Sequence, residues 1–191
     1  NWNKVITNDD LVILPGDFSW AMKLEEAKPD FDWISSLPGK KVFVRGNHDL
    51  WWSSLKKMKL LYPDITFIQN DSFVIGDIAI IGSRGWISPL DPDFKEETDR
   101  VIFERERLRL QMSFSSLENS NYKKLICVMH FPPIGFQDLL ETYKVDYCVY
   151  GHLHGENAFA NGPEGLINGV IYRLCSFDKL KGVPQLICKV D

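Results

Sequence analysis

The chain is 191 residues long, enough for one domain with a sizeable core, and its 45% hydrophobic and 25% charged residues are ordinary for a globular protein. A net charge of −4 argues against the basic surface of a dedicated nucleic-acid binder, although phosphate-bearing ligands stay open because a bound metal can supply positive charge. No apolar run approaches membrane-spanning length, and the four cysteines (Cys127, Cys148, Cys175, Cys188) lie in apolar stretches without a CxxC pair, which disfavours a zinc knuckle and points to reduced thiols in the cytoplasm.

The leading segment NWNKVITNDD reads as the end of a helix running into an apolar run at 11–14, closed by Pro15, Gly16 and Asp17. Pro29 opens PDFDWISSLPG as a helix, with Phe31, Ile34 and Leu37 three apart and Gly39 just past the end. A second run at 42–44 leads through Arg45 into Gly46, Asn47, His48 and Asp49. Ser53 or Ser54 caps SSLKKMKLLYP, where Leu55, Met58 and Leu61 share a face and Pro63 follows. Runs at 66–68, 73–75 and 78–81 have strand length, and Gly76 with Asp77 makes the last two a hairpin. The longest helical candidate covers about 93–117, its charges interleaved with Val101, Leu108 and Met112. That spacing predicts a surface helix with solvated i,i+4 pairs, or else a helix used for dimerisation or for capping a site. Further strand-length runs follow at 125–129, 147–150, 170–174 and 186–190, with 161–165 read as a loop. Strands alternating with helices around a hairpin predict a mixed α/β sandwich in one domain, residues 1–191.

Four of these runs end in unusual chemistry. The first is followed by Gly16 and Asp17, the second by Gly46, Asn47, His48 and Asp49, the run at 125–129 by His130, and the run at 147–150 by Gly151, His152, Leu153 and His154. Ligand sites of open α/β sheets gather beyond the carboxyl ends of strands. All four histidines of the chain, His48, His130, His152 and His154, stand in these positions. One histidine at a strand end is an ordinary hydrogen-bonding residue, but four of four predict a ligand set. Imidazoles beside carboxylate and amide oxygens suit manganese, iron or zinc. Glycines at 16, 46 and 151 would allow sharp turns and close backbone approach.

The ordered set GD, GNHD, H, GHxH over about 11–155 resembles the calcineurin-like metallophosphoesterases. The resemblance implies a sandwich of two mixed β-sheets flanked by helices. It also implies a phosphodiesterase or phosphatase with two divalent ions, manganese first and iron or zinc as alternatives, and a metal-bridging hydroxide as nucleophile. On the family's pattern Asp17 bridges the ions. Asn47, His130 and His152 complete one of them, His154 binds the other, His48 acts as general acid at the leaving-group oxygen, and Asp49 holds the His48 ring. The family's D-x-H motif, expected on a strand before Gly16, is absent from residues 1–10. The expectation is therefore of an N-terminally truncated chain whose first strand is missing, and whose first ion keeps only Asp17 and His154.

Substrate signals are fewer. Arg84, in SRGW after the hairpin, can offer its fork of donors to a substrate phosphate or make an ordinary surface salt bridge. Trp51 and Trp52 can wall the site or pack in the core, Asn157 is a weaker candidate, and Phe131 to Pro133 shapes a turn. The partners expected are a small phosphoester and no membrane, with nucleic acid only as a small nucleotide substrate and an oligomer left open. An interaction scaffold with an incomplete metal site is the alternative from another class. A single-metal hydrolase or a metal-binding oxygenase, the latter on a ferrous site of two histidines and a carboxylate, is a third, which leaves the run Gly46-Asn47-His48-Asp49 unexplained.

Overall fold

A computed structural model describes residues 1–189. The chain runs α1 (Trp2–Val5), β1 (Leu11–Leu14), α2 (Lys28–Ser36), β2 (Lys40–Val44), α3 (Leu55–Leu61) and β3 (Ile65–Ile68). The hairpin β4 (Ser72–Ile75) and β5 (Ile78–Ser83) follows, then α4 (Glu96–Ser115), β6 (Lys124–Met129), α5 (Gln137–Thr142) and β7 (Tyr147–Tyr150). The short α6 (Glu156–Phe159), β8 (Gly165–Ile167) and β9 (Val170–Leu174) complete the fold. Two sheets result. One is three-stranded and parallel, in the order β1-β2-β3; the other is six-stranded and mixed, in the order β4-β5-β6-β7-β9-β8. Its parallel centre, β5-β6-β7-β9, is flanked by an antiparallel strand at each end, β4 and β8.

Side chains alternate between two buried faces, so the central strands read as continuous apolar runs. In β6, Ile126 and Val128 face the other sheet, where they meet Val42 and Val44 of β2, alongside Ile80 of β5 from their own sheet. Leu125, Cys127 and Met129 of the same strand face outward, under Phe103, Leu110 and Phe114 of α4 and Leu139 and Leu140 of α5. On the far side Phe31 and Ile34 of α2 and Met58 of α3 cover Phe43 and Phe67. The architecture is therefore helix, sheet, sheet, helix. Each fully buried aliphatic side chain contributes roughly 1.5–3 kcal/mol.

The α/β sandwich with helices on both outer faces agrees with the sequence expectation, with one refinement: only the larger sheet is mixed. Ser54 caps α3, its side chain accepting from the Lys57 amide. The long helix does carry exposed i,i+4 pairs, Arg100 with Glu96 and with Glu104. Its other face is deeply buried through Phe103, Glu106, Leu110, Ser113 and Phe114, while Val101, Leu108 and Met112 point to solvent. The strand expected at 186–190 does not form: residues 186–189 are irregular, Ile187 and Cys188 pack against the inter-sheet core instead of pairing, and Val190 lies outside the described residues. The loop expected at 161–165 ends in β8, whose three residues are too few to show an alternation. No described helix is long and apolar enough to cross a membrane.

Candidate metal centre

β1 and β2 of one sheet and β6 and β7 of the other bring their carboxyl ends to one rim, so the four polar loops meet there. Main-chain hydrogen bonds tie the last two, the Gly151 amide donating to His130 O at 3.1 Å, and join His130 to the end of β5, its amide donating to Arg84 O at 3.1 Å. The first two loops are in closer contact still. A Cβ on Gly46 would stand 2.0 Å from Asp17 Oδ1, and a Cβ on Gly16, whose φ is +93°, would stand 2.6 Å from the Gly46 nitrogen. Glycine is therefore required at both positions. Gly151 is not constrained in that way: its Cβ would meet Pro15 at 3.5 Å, an ordinary contact, so the sequence reasoning holds for two of the three glycines.

Four potential ligand atoms converge at this rim. His130 Nε2 lies 2.6 Å from Asn47 Oδ1, 3.3 Å from Asp17 Oδ2 and 3.2 Å from His152 Nδ1. His152 Nδ1 is also 3.1 Å from Asn47 Oδ1. His130 Nδ1 sits 2.9 Å from Pro15 O, which can only accept, so Nδ1 carries a proton; the neutral ring then turns its Nε2 lone pair to the cluster, and the charged ring donates from Nε2 to it. The other Asp17 oxygen accepts from the His48 amide at 2.8 Å. Ligands at right angles around an ion, each about 2.1 Å away, stand about 3 Å apart, so these separations fit the coordination edges of one divalent cation. The ligand atoms of Asp17, His130 and His152 alone lie within 4.8 Å of one another. Asp17 and His152 are held at φ of +56° and +69°. A left-handed backbone costs a non-glycine residue about 1 kcal/mol or more, and such residues cluster at functional sites.

The electrostatics match. Burial works against the Asp17 charge, but in the metal-free site a protonated His130, by its hydrogen bond and its charge, and the His48 amide outweigh it and hold the carboxyl below its usual range. Burial, reinforced by the neighbouring His130, pushes His152 down to about 4, so its ring is neutral and offers a lone pair near neutral pH.

The remaining candidates are placed differently. His154 stays outside the cluster: its side chain is 61% exposed, and Nδ1 meets Asp178 Oδ1 at 3.1 Å. Asp178 is in turn fixed by the Gly155 amide at 2.7 Å. Asp49 does not hold the His48 ring. Fully buried, it takes the amides of Asp17 and Gly46 on Oδ2 (2.8 and 2.7 Å), and that of Phe18 with the Trp51 indole N–H on Oδ1 (both 2.9 Å). Its buried carboxylate organises the loops by accepting from their inward-pointing N–H groups. The exposed His48 ring instead lies against the Trp20 indole, centroids 4.8 Å apart at 43°. Arg84 makes no surface salt bridge: it lies over the Trp86 ring and reaches Glu106, which is 1% exposed and also takes Arg109 at 2.7 Å and Ser83 Oγ at 2.8 Å. Trp51 and Trp52 are core residues. Asn157 is exposed on α6, and Phe131 does more than shape a turn, its ring lying 4.0 Å from that of His152. Sequence reasoning missed Trp20, Glu106 and Asp178. Of these only Asp178, in the segment just after β9, carried a legible signal: a polar residue close beyond a strand's carboxyl end.

Comparison with known proteins agrees with this arrangement. A model of the calcineurin-like phosphoesterase family matches residues 1–156. An uncharacterized protein of Acanthamoeba polyphaga mimivirus is 24% identical over 181 residues, covering 81% of this chain and 64% of the relative. An uncharacterized protein of Methanocaldococcus jannaschii is 31% identical over 84 residues, covering 39% of this chain and 47% of the relative. The chain thus matches less than two thirds of the length of either.

Proposed function

The chain belongs to the calcineurin-like phosphoesterases, metal-dependent hydrolases of phosphoric esters, and we propose that it performs this hydrolysis at the rim where Asp17, Asn47, His130 and His152 meet. The observation that carries the reading is the convergence of a carboxylate oxygen, an amide oxygen and two imidazole nitrogens 2.6–3.3 Å apart. Such a set fits a divalent cation. Asp17, Asn47, His130 and His152 would hold one ion, and Asp17 with His154 would contribute to a second. Manganese suits this mixed oxygen and imidazole set, with iron or zinc as substitutes. When bound, a metal pair supplies the charge that stabilises attacking and leaving oxygens during an in-line displacement at phosphorus.

The chain's own residues do the rest. His48, exposed beside the cluster and tethered through its amide to Asp17, gives a proton to the departing ester oxygen as the phosphorus–oxygen bond breaks and that of the incoming water forms. Arg84 offers donors to the phosphoryl oxygens while Glu106 braces it from behind. Asp178 orients the His154 ring in the way carboxylates orient metal-binding imidazoles. The substrate is a small phosphodiester or phosphomonoester. The four free cysteines support a reducing compartment such as the cytoplasm.

The test is hydrolysis of p-nitrophenyl phosphate and bis(p-nitrophenyl) phosphate by manganese-loaded protein. His48→Ala should lower kcat by about 10²- to 10⁴-fold with metal content unchanged. Undiminished turnover in that variant would remove His48 from the reaction.

A further inference from the structure

The geometry points to Trp20 as a stacking platform that selects phosphoesters with a flat aromatic leaving group, a nucleoside or an aryl alcohol. The inference rests on the reading that His48 serves the leaving-group oxygen.

Trp20 is 80% exposed, although burying an indole is strongly favourable. It is not left outside by a loose loop. Phe18, two residues before it, packs its ring 5.2 Å from Phe31 and 5.0 Å from Phe43, and Ala21, next in sequence, packs against the same core. Ser19 Oγ donates to Asp30 at 2.5 Å and accepts from the Ala21 amide at 3.2 Å. Glu26 takes the amides of Met22 and Lys23 at 3.1 and 3.2 Å. The backbone on both sides of Trp20 is therefore pinned, and its indole is held in water beside His48. Trp33, the other exposed tryptophan, lies on α2. Met22 and Leu50, each two residues beyond one of the stacked rings, are 62% and 50% exposed.

A proton donor must come within about 3 Å of the oxygen it protonates. The group attached to that oxygen therefore lies beside the His48 ring, within reach of its neighbour Trp20, whose ring centroid is 4.8 Å from that of His48. An aliphatic leaving group would gain little from the indole face. A planar ring gains base–aromatic stacking, whose loss on alanine substitution corresponds to a roughly 5- to 150-fold change in affinity.

The experiment compares adenosine 5′-monophosphate, 2-naphthyl phosphate and ribose 5-phosphate. Binding is measured by calorimetry on zinc-loaded wild-type, Trp20→Ala and Trp20→Phe protein, with phosphate release followed in parallel. At least one of the two ring-bearing compounds should bind wild type about ten-fold or more tighter than ribose 5-phosphate. Trp20→Ala should abolish that preference and Trp20→Phe should keep most of it. Preference for the nucleotide alone identifies a nucleobase as the ring, and preference for both identifies any aryl group. Equal binding of all three, binding of none, or a preference that survives Trp20→Ala overturns the platform. A Trp20-dependent preference with no phosphate released from these monoesters and no p-nitrophenol released from bis(p-nitrophenyl) phosphate would leave the platform standing and sink the hydrolase reading instead.

Discussion

Replacing Asp49 by asparagine separates two roles for this carboxylate. Its oxygens accept four short hydrogen bonds, two on each, from the Asp17, Gly46 and Phe18 amides and the Trp51 indole. Asparagine has one acceptor oxygen. Whichever way its amide turns, two of the four donors then face an NH2 group. A buried donor left unsatisfied costs about 1–3 kcal/mol, so Asp49→Asn should destabilise the fold by about 2–6 kcal/mol. For a chain of this size each kcal/mol lowers Tm by about 2–4 °C, which puts the expected drop near 10 °C. Urea denaturation and a thermal melt of the metal-free protein measure it, with a manganese titration alongside. Metal affinity should weaken as well, because Asp49 holds together the loops that carry Asp17 and Asn47. The reasoning is refuted if the variant unfolds within about 1 kcal/mol of wild type while turnover is lost. That result would return Asp49 to the task of orienting His48.

Three further outcomes follow from the same geometry. Asn47→Ala removes the oxygen shared by both imidazoles and should weaken manganese binding by about 100-fold or more, read by calorimetry, with stability changed by no more than about 1 kcal/mol. His152 is held down at about 4 against an unfolded value of about 6.5, so between those values the unfolded chain binds a proton that the folded chain does not. Stability of the metal-free protein should therefore be full above about pH 6.5 and fall as pH drops toward 4; a denaturation series that shows the same slope in His152→Gln would refute the assignment. Glu106→Gln strips the buried countercharge from Arg84 and Arg109 and should cost about 2–3 kcal/mol in urea, below the value for fully buried pairs because both arginines keep some solvent contact.

The fold was legible where burial on both faces makes a strand a continuous apolar run. β6 and β7 are such runs, and their inward and outward residues, Val128 against Met129 for instance, are equally hydrophobic. The same signal misled at 186–190, since apolar residues that rest on a core without pairing look like a strand in sequence. β8 and α5 escaped because three and six residues are too short for a period to emerge. In α4 the buried stripe includes Glu106 and Ser113 while Val101, Leu108 and Met112 face water, so hydrophobicity marks the wrong face. Glu106 looks no different in ERERLR from its exposed neighbours; only its contacts with Ser83 and two arginines set it apart.

For the site, sequence could say where chemistry collects, because strand ends can be located and polar residues there are conspicuous. It could not say which way each side chain turns. Asp49 follows His48 directly, and adjacency in sequence suggested a partnership that the backbone forbids, since neighbouring residues in that turn point to different sides. The carboxylate goes inward to amides some thirty residues away, while the imidazole goes outward to Trp20. The tryptophans teach the same point. Trp51 and Trp52 stand beside the motif in sequence yet belong to the core, and Trp20, three residues past Asp17 in an irregular loop, stands in water over His48. A loop has no period from which to read facing. What fixes it here is contact between loops: Gly46 leaves room for the Asp17 carboxylate and Asp49 collects the amides around it. The cluster of lone pairs thus depends on both loops at once, and a change in either should reach the metal ligands of the other.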